Sequence, residues 1–149
     1  MSLPEKRIVD LIKKHHVLTL ATSSDNLPWC AHCFYTYIED KNWLVFTSEA
    51  STKHVQDTLA QPEVAGGIVL ETMNVGKIRG IQLRGIMRQP SETEGDQLKT
   101  AYLKRFPFAV LMNISSLWIL EIHYIKMTDN RLGFGTKAIW EKETERLSD

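Results

Sequence analysis

A hydroxyl-rich turn with one lysine, Thr47-Ser-Glu-Ala-Ser-Thr-Lys53, links a short apolar run, Trp43 to Phe46, to a stretch of helical spacing that opens at His54 and Val55. The first turn of a helix carries free N–H groups at its positive dipole end. Hydroxyls and a lysine placed there suit a phosphate group. The same residues also suit an ordinary helix start, in which Ser51 or Thr52 caps the first turn and Lys53 is solvated. Taken alone, they favour that simpler arrangement.

A second constellation is Trp29-Cys30-Ala31-His32-Cys33. It has the spacing of the WCxxC redox motif, whose mechanism needs the first cysteine at a helix N-terminus where the thiolate is stabilised. Here the residues that follow, Phe34-Tyr-Thr-Tyr-Ile38, are strong strand formers. Cysteines three apart in a strand point to opposite faces and do not join easily. Cys30, His32 and Cys33 are also three metal-ligand types, but no second cluster completes a tetrahedral set, so no metal site is expected. His15-His16 reads as a helix end with a surface or dipole role, and His123 as a packed or hydrogen-bonded strand residue. No Gly-x-Ser-x-Gly and no nucleophile–base pair is legible.

The elements that must position these groups follow from pattern. Ile8, Leu11, Ile12 and His15 recur at helical spacing after Pro4, with Ser2 as a cap. Val17–Thr22 alternates as a strand. Ser23–Pro28 is a turn in which Asp25 and Asn26 tolerate a left-handed backbone. Trp29–Ile38 is a second strand, Glu39–Asn42 a hairpin turn, and Trp43–Thr47 a third strand. A helix runs from Ser51 or Thr52 to about Ala60, stopped by Pro62. Val64–Thr72 is a fourth strand whose Gly66 and Gly67 signal a bulge or a close backbone approach. Ile78–Arg88 is a fifth. Ser91 and Glu94 form a capping box for a helix reaching about Phe106, and 108–112 is a short helical piece. Leu117–Met127 alternates as a sixth strand, and Ala138, Ile139 and Trp140 are a last apolar patch. The sum is a mainly β fold of six or seven antiparallel strands with inserted helices, a small barrel or sandwich.

The 149 residues fit one domain, and 43% are hydrophobic. Eighteen basic and eighteen acidic side chains cancel, so no global field draws the chain to nucleic acid or an anionic membrane. Arg79, Arg84 and Arg88 could still make a local basic patch. No apolar run approaches a membrane span, and the N-terminus lacks an apolar signal core. A cytoplasmic protein is expected.

Several segments, in order, resemble the pyridoxamine-5′-phosphate-oxidase-like, FMN-binding split-barrel superfamily. They are Leu18-Thr-Leu-Ala-Thr22, the Pro28-led strand to Tyr35, Val45–Lys53, Gln61-Pro-Glu-Val-Ala65 after a helix, and Ile78–Gly85. Arg105-Phe-Pro and Thr128–Trp140 are similar to its small, uncharacterised YhbP-like branch. The resemblance implies one split β-barrel domain over residues 1–149 and a homodimer with FMN at the subunit interface. It implies that Thr47 and Ser48 contact the phosphate or ribityl chain and that Ser51, Thr52 and Lys53 hold the phosphate. Cys30, Ala31, His32 and Cys33 would lie along the flavin, mainly through backbone groups. Gln82 would approach it across the interface, and Trp140 would wall the pocket.

The true oxidases carry an arginine where this chain has Thr52, Arg-Gln where it has Arg79-Gly80, and an arginine and a lysine on the Pro-led strand. Pyridoxamine-5′-phosphate oxidation is therefore not the expected reaction. The expectation is a flavoprotein oxidoreductase of unknown substrate, with a small-molecule electron donor and acceptor and no catalytic acid or base yet assigned. The alternatives are a non-catalytic flavin- or haem-binding protein and a thiol redox protein using Cys30 and Cys33.

Overall fold

The alternating apolar runs form seven antiparallel strands in one sheet, seen in a computed structural model that describes residues 2–111 and 116–143. The strands are β1 (Val17–Ser24), β2 (Leu27–Ile38), β3 (Trp43–Thr47), β4 (Glu63–Val69), β5 (Arg79–Arg88), β6 (Leu117–Asp129) and β7 (Lys137–Glu141). Their order is β3-β2-β1-β4-β5-β6-β7, and an extra β3–β6 pairing closes the first six into a barrel. Three α-helices are described: α1 (Lys6–Lys14), α2 (Lys53–Ala60) and α3 (Glu92–Arg105). Among the described residues no helix is long and apolar enough to cross a membrane. The short helical piece is a 3-10 turn over Pro107–Val110; Met112 and the charged tail from 144 onward lie outside the described residues.

Inward-facing side chains fill the barrel: Leu18 and Leu20 from β1, Tyr35 from β2, Leu44 and Phe46 from β3, Ile68, Leu83 and Ile125 from β4 to β6. Each such side chain contributes about 1.5–3 kcal/mol by leaving water. The amphipathic helix α1 closes one end with Ile8, Leu11 and Ile12. It is tied down by Tyr35, whose hydroxyl donates to Ile12 O at 2.6 Å, and by Arg105, which donates to the Lys13, His15 and Tyr35 carbonyls. The N-cap of α1 is Glu5, not Ser2, and no side chain caps it.

Asp25 and Asn26 do adopt positive φ, which makes a two-residue hairpin between β1 and β2. Gly66 marks a close approach rather than a bulge, since a Cβ there would lie 2.8 Å from Leu18 Cδ1. The bulge falls in β6. Arg84 pairs with Tyr124 and Gly85 with Ile122, so His123 is the extra residue. The simple alternation expected along 117–127 therefore breaks. Leu120 and Ile122 face in, then Ile125 and Met127 take over, and Tyr124 leaves the core. Arg79, Arg84 and Arg88 do not form a patch. Arg88 is bound by Glu94 and Glu121, Arg84 lies over the Tyr124 ring, and Arg79 sits at the α1 end of the barrel.

Candidate functional site

The turn after β3 places Thr52 at the N-cap of α2, but its hydroxyl points back and donates to Glu49 O at 2.8 Å. No side chain caps this helix. Of the N–H groups in its first turn, those of Lys53 and His54 are left to solvent or a ligand, while Val55 is buried. Gln56 pins the turn by donating to Ala50 O at 2.6 Å, and Ser51 is exposed. The capping role expected for Ser51 or Thr52 is thus not filled by either side chain.

Lys53 Nζ donates to Asp57 Oδ1 at 2.9 Å and lies 5.9 Å from the Trp29 ring centroid. Asp57 is only 4% exposed and also accepts from Thr22 Oγ1 at 2.9 Å. The Lys53 bond, more than the Thr22 one, holds the Asp57 carboxyl below its usual range against the opposing effect of burial. Ser48 Oγ lies 2.6 Å from His54 Nε2, a hydroxyl–imidazole contact that no sequence pattern signals. Burial pushes the His54 pKa down, with Asp57 opposing, which favours the neutral ring. The Ser48 carbonyl accepts from Trp118 Nε1 at 3.1 Å, which fixes the turn to β6.

The β2 segment is divided between two faces. Cys30 and His32 point outward, Cys33 is buried in the core, and Ala31 is half-buried. Both cysteines are free thiols. Burial raises the Cys33 pKa to about 11, with the Ser48 hydroxyl working the other way. Opposite faces and a protonated Cys33 leave the thiol redox reading without a geometry. β2 pairs with β3 only from Tyr35 to Ile38, so its edge at Cys30 and His32 is open. With the hairpin closing on Ser24 and Leu27, these two residues turn their backbone N–H and C=O groups toward that open edge.

Strand register links these residues to Gln82. One row of outward positions crosses five strands as His32, Thr19, Gly67, Gln82 and Lys126. The next row is Cys30, Ala21, Ala65, Arg84 and Tyr124. Small residues at the centre of both rows flatten the outer face into clefts of about 380 and 520 Å³ that share Ala21, Ala65, Arg84 and Tyr124. His123, held in the bulge, borders the larger one; of the packed or hydrogen-bonded roles expected of it, its Nε2 takes no hydrogen bond, being buried without a partner among the described residues. Thr47 sits at the end of β3 beside Leu117. Trp140 is not brought to this face: it is 8% exposed, packed in the core, and its Nε1 donates to Ser2 O at 3.2 Å. Among the described residues no three His, Cys, Asp or Glu side chains gather to hold a metal ion.

No protein-family model matches the chain. A UPF0306 protein of Photorhabdus laumondii is 37% identical over 134 residues, covering 88% of this chain and 91% of that protein. Among solved structures, the heme binding protein from Mycobacterium smegmatis superposes with a TM-score of 0.76 at 17% identity over 94% of this chain, which spans 60% of that protein's length. A FAD-binding protein from Mesorhizobium loti gives 0.66 at 14% identity, covering 81% of this chain and 91% of the other. A putative pyridoxamine 5'-phosphate oxidase from Listeria innocua gives 0.62 at 12%, covering 81% and 94%. These likenesses establish the split-barrel fold.

Proposed function

The chain belongs to the UPF0306 family, and from that premise and the geometry of the α2 turn we propose that it is an FMN-binding flavoprotein with oxidoreductase chemistry. One observation carries the reading: an uncapped helix N-terminus with a lysine in its first turn and hydroxyls beside it. The first-turn N–H groups, Ser51, Thr52 and Lys53 would hold the phosphate. Thr47 and Ser48 would contact the phosphate or the ribityl chain. The open β2 edge at Cys30 and His32 offers backbone groups to a ring, while Ala31 and Cys33, turned inward, support that edge from behind. Gln82 would act from a second copy of the chain, whose own flat outer face pairs with this one. A bound flavin would supply the electron chemistry, and the protein position, dryness and hydrogen bonds. That structural neighbours include proteins named for FAD and heme is consistent with a flat-ligand fold.

Purified protein should show the two-band flavin spectrum after FMN addition. Lys53→Ala should weaken FMN binding about tenfold or more. Lys13→Ala, which removes only an exposed pair with Glu39, should leave it unchanged. Equal affinities in the two variants would overturn the phosphate assignment. A sharp Soret band after haem addition, with no flavin retained, would replace the reading with haem binding. Nicotinamide-dependent bleaching of the bound flavin would separate an enzyme from a store.

A further inference from the structure

At the opposite end of the barrel from α2, α1 lies against the start of β5 and the end of β6. Between them is a cavity of about 160 Å³, walled by Leu11 and Met127 and by six polar residues, Arg7, Asp10, Lys14, His15, Arg79 and Arg131. Four of these six are permanently cationic. Three carboxylates answer them only in part. Glu5 takes Arg7 at 2.7 Å, and Asp10 is held by Lys6 at 2.6 Å. Asp129, 1% exposed, is gripped by Arg131 through Nε at 3.0 Å and Nη2 at 2.7 Å. Counting Lys6, five cations face three carboxylates, and two positive charges remain.

The two without a bonded carboxylate among the described residues are Lys14 and Arg79. Arg79 Nε is buried with no hydrogen-bond partner among those residues. The Arg79 charge thus has no bonded acceptor among those residues, while the residue itself lines the cavity. Asp129 lies close enough to feel the Arg79 charge, but its oxygens are committed to Arg131.

We propose that this cavity is a binding site for a phosphate dianion, either inorganic phosphate or the phosphate of a small monoester. The volume is roughly that of five waters, enough for one phosphate group. Guanidinium groups reach it from β5 and from the turn after β6, and an ammonium from α1. Donors from three directions suit a tetrahedral ligand better than a planar carboxylate. The last-turn carbonyls of α1 would oppose an anion, but the Lys13 and His15 carbonyls already accept from Arg105. The His15 pKa is lowered by burial and by the Lys14, Arg79 and His16 charges, which marks the site as electropositive. The Lys53 turn is at the far end of β1 and does not contribute, so this site stands or falls separately from the flavin reading.

Calorimetric titration with sodium phosphate and with glycerol 3-phosphate, at low ionic strength, tests the site. Tighter phosphate binding identifies the free ion as the ligand; tighter glycerol 3-phosphate binding identifies the monoester. Arg79→Met should weaken binding about tenfold, and Lys14→Met severalfold. Lys13→Met should change nothing. Phosphate should also raise the His15 pKa, read from its ring-proton NMR shifts, because a bound dianion favours the imidazolium. If Arg79→Met fails to fold, Lys14→Met, altered at an exposed side chain, decides. Unchanged affinity in Lys14→Met together with an unmoved His15 titration would overturn the site.

Discussion

Lys53 Nζ and Asp57 Oδ1 are 2.9 Å apart on one face of α2, and Asp57 is buried while Lys53 is half in solvent. The pair fixes the lysine stem along the helix beside Trp29. It also shares the charge that a phosphate would use.

Asp57→Asn should therefore release Lys53 and tighten FMN binding about threefold, measured by flavin fluorescence quenching. It should also alter acid stability. The folded Asp57 pKa lies below its ordinary 3.8, so on acidification the unfolded chain takes the proton first. The pair's contribution is whole above about 3.8, weakens below it, and is gone once Asp57 protonates in the folded state. The wild type should lose stability across that window more steeply than Asp57→Asn in pH-dependent urea melts. Parallel curves would deny Asp57 this role.

Two glycines give opposite outcomes. A Cβ on Gly85 would collide with the Glu121 carbonyl opposite the β6 bulge, whereas one on Gly95 in α3 meets nothing within 4 Å. Gly85→Ala should cost about 3 kcal/mol, roughly 10 °C in Tm, because backbone must move. Gly95→Ala should gain about 0.5–1 kcal/mol from helix propensity and a less free unfolded chain. Calorimetric melts of both variants check the pair together.

Thiol chemistry should separate the cysteines. Cys30 is exposed, and Cys33 is buried with its pKa near 11. A thiol-specific disulfide reagent at pH 8 should label Cys30 quickly and Cys33 only after urea. A Cys30–Cys33 disulfide, found by mass spectrometry after mild oxidation, would contradict the strand geometry.

Much of the frame was legible in the chain because its signals are local. Alternation marked β1 to β3, the Asp25-Asn26 turn set the first hairpin, and Pro62 ended α2. Glu94 Oε1 accepts the Ser91 N–H at 2.8 Å, as the capping-box spacing implied. The bulge at His123 was not legible, because the extra residue is defined only by a partner strand, β5, far away in sequence. Asp57 is not legible for a similar reason: a helix acid reads as solvated until Thr22 is folded against it.

The sequence by itself determined the residues that can hold an anion at the start of α2 and the family-like order of strands around them. Tertiary structure decided how those residues are used. It turned the Thr52 hydroxyl away from the helix and set His54 on Ser48. It also aligned Gln82 with His32 across the sheet and removed Trp140 to the core. Local patterns specify period and turns, whereas register, bulges and the pairing of distant charges exist only once the barrel has closed.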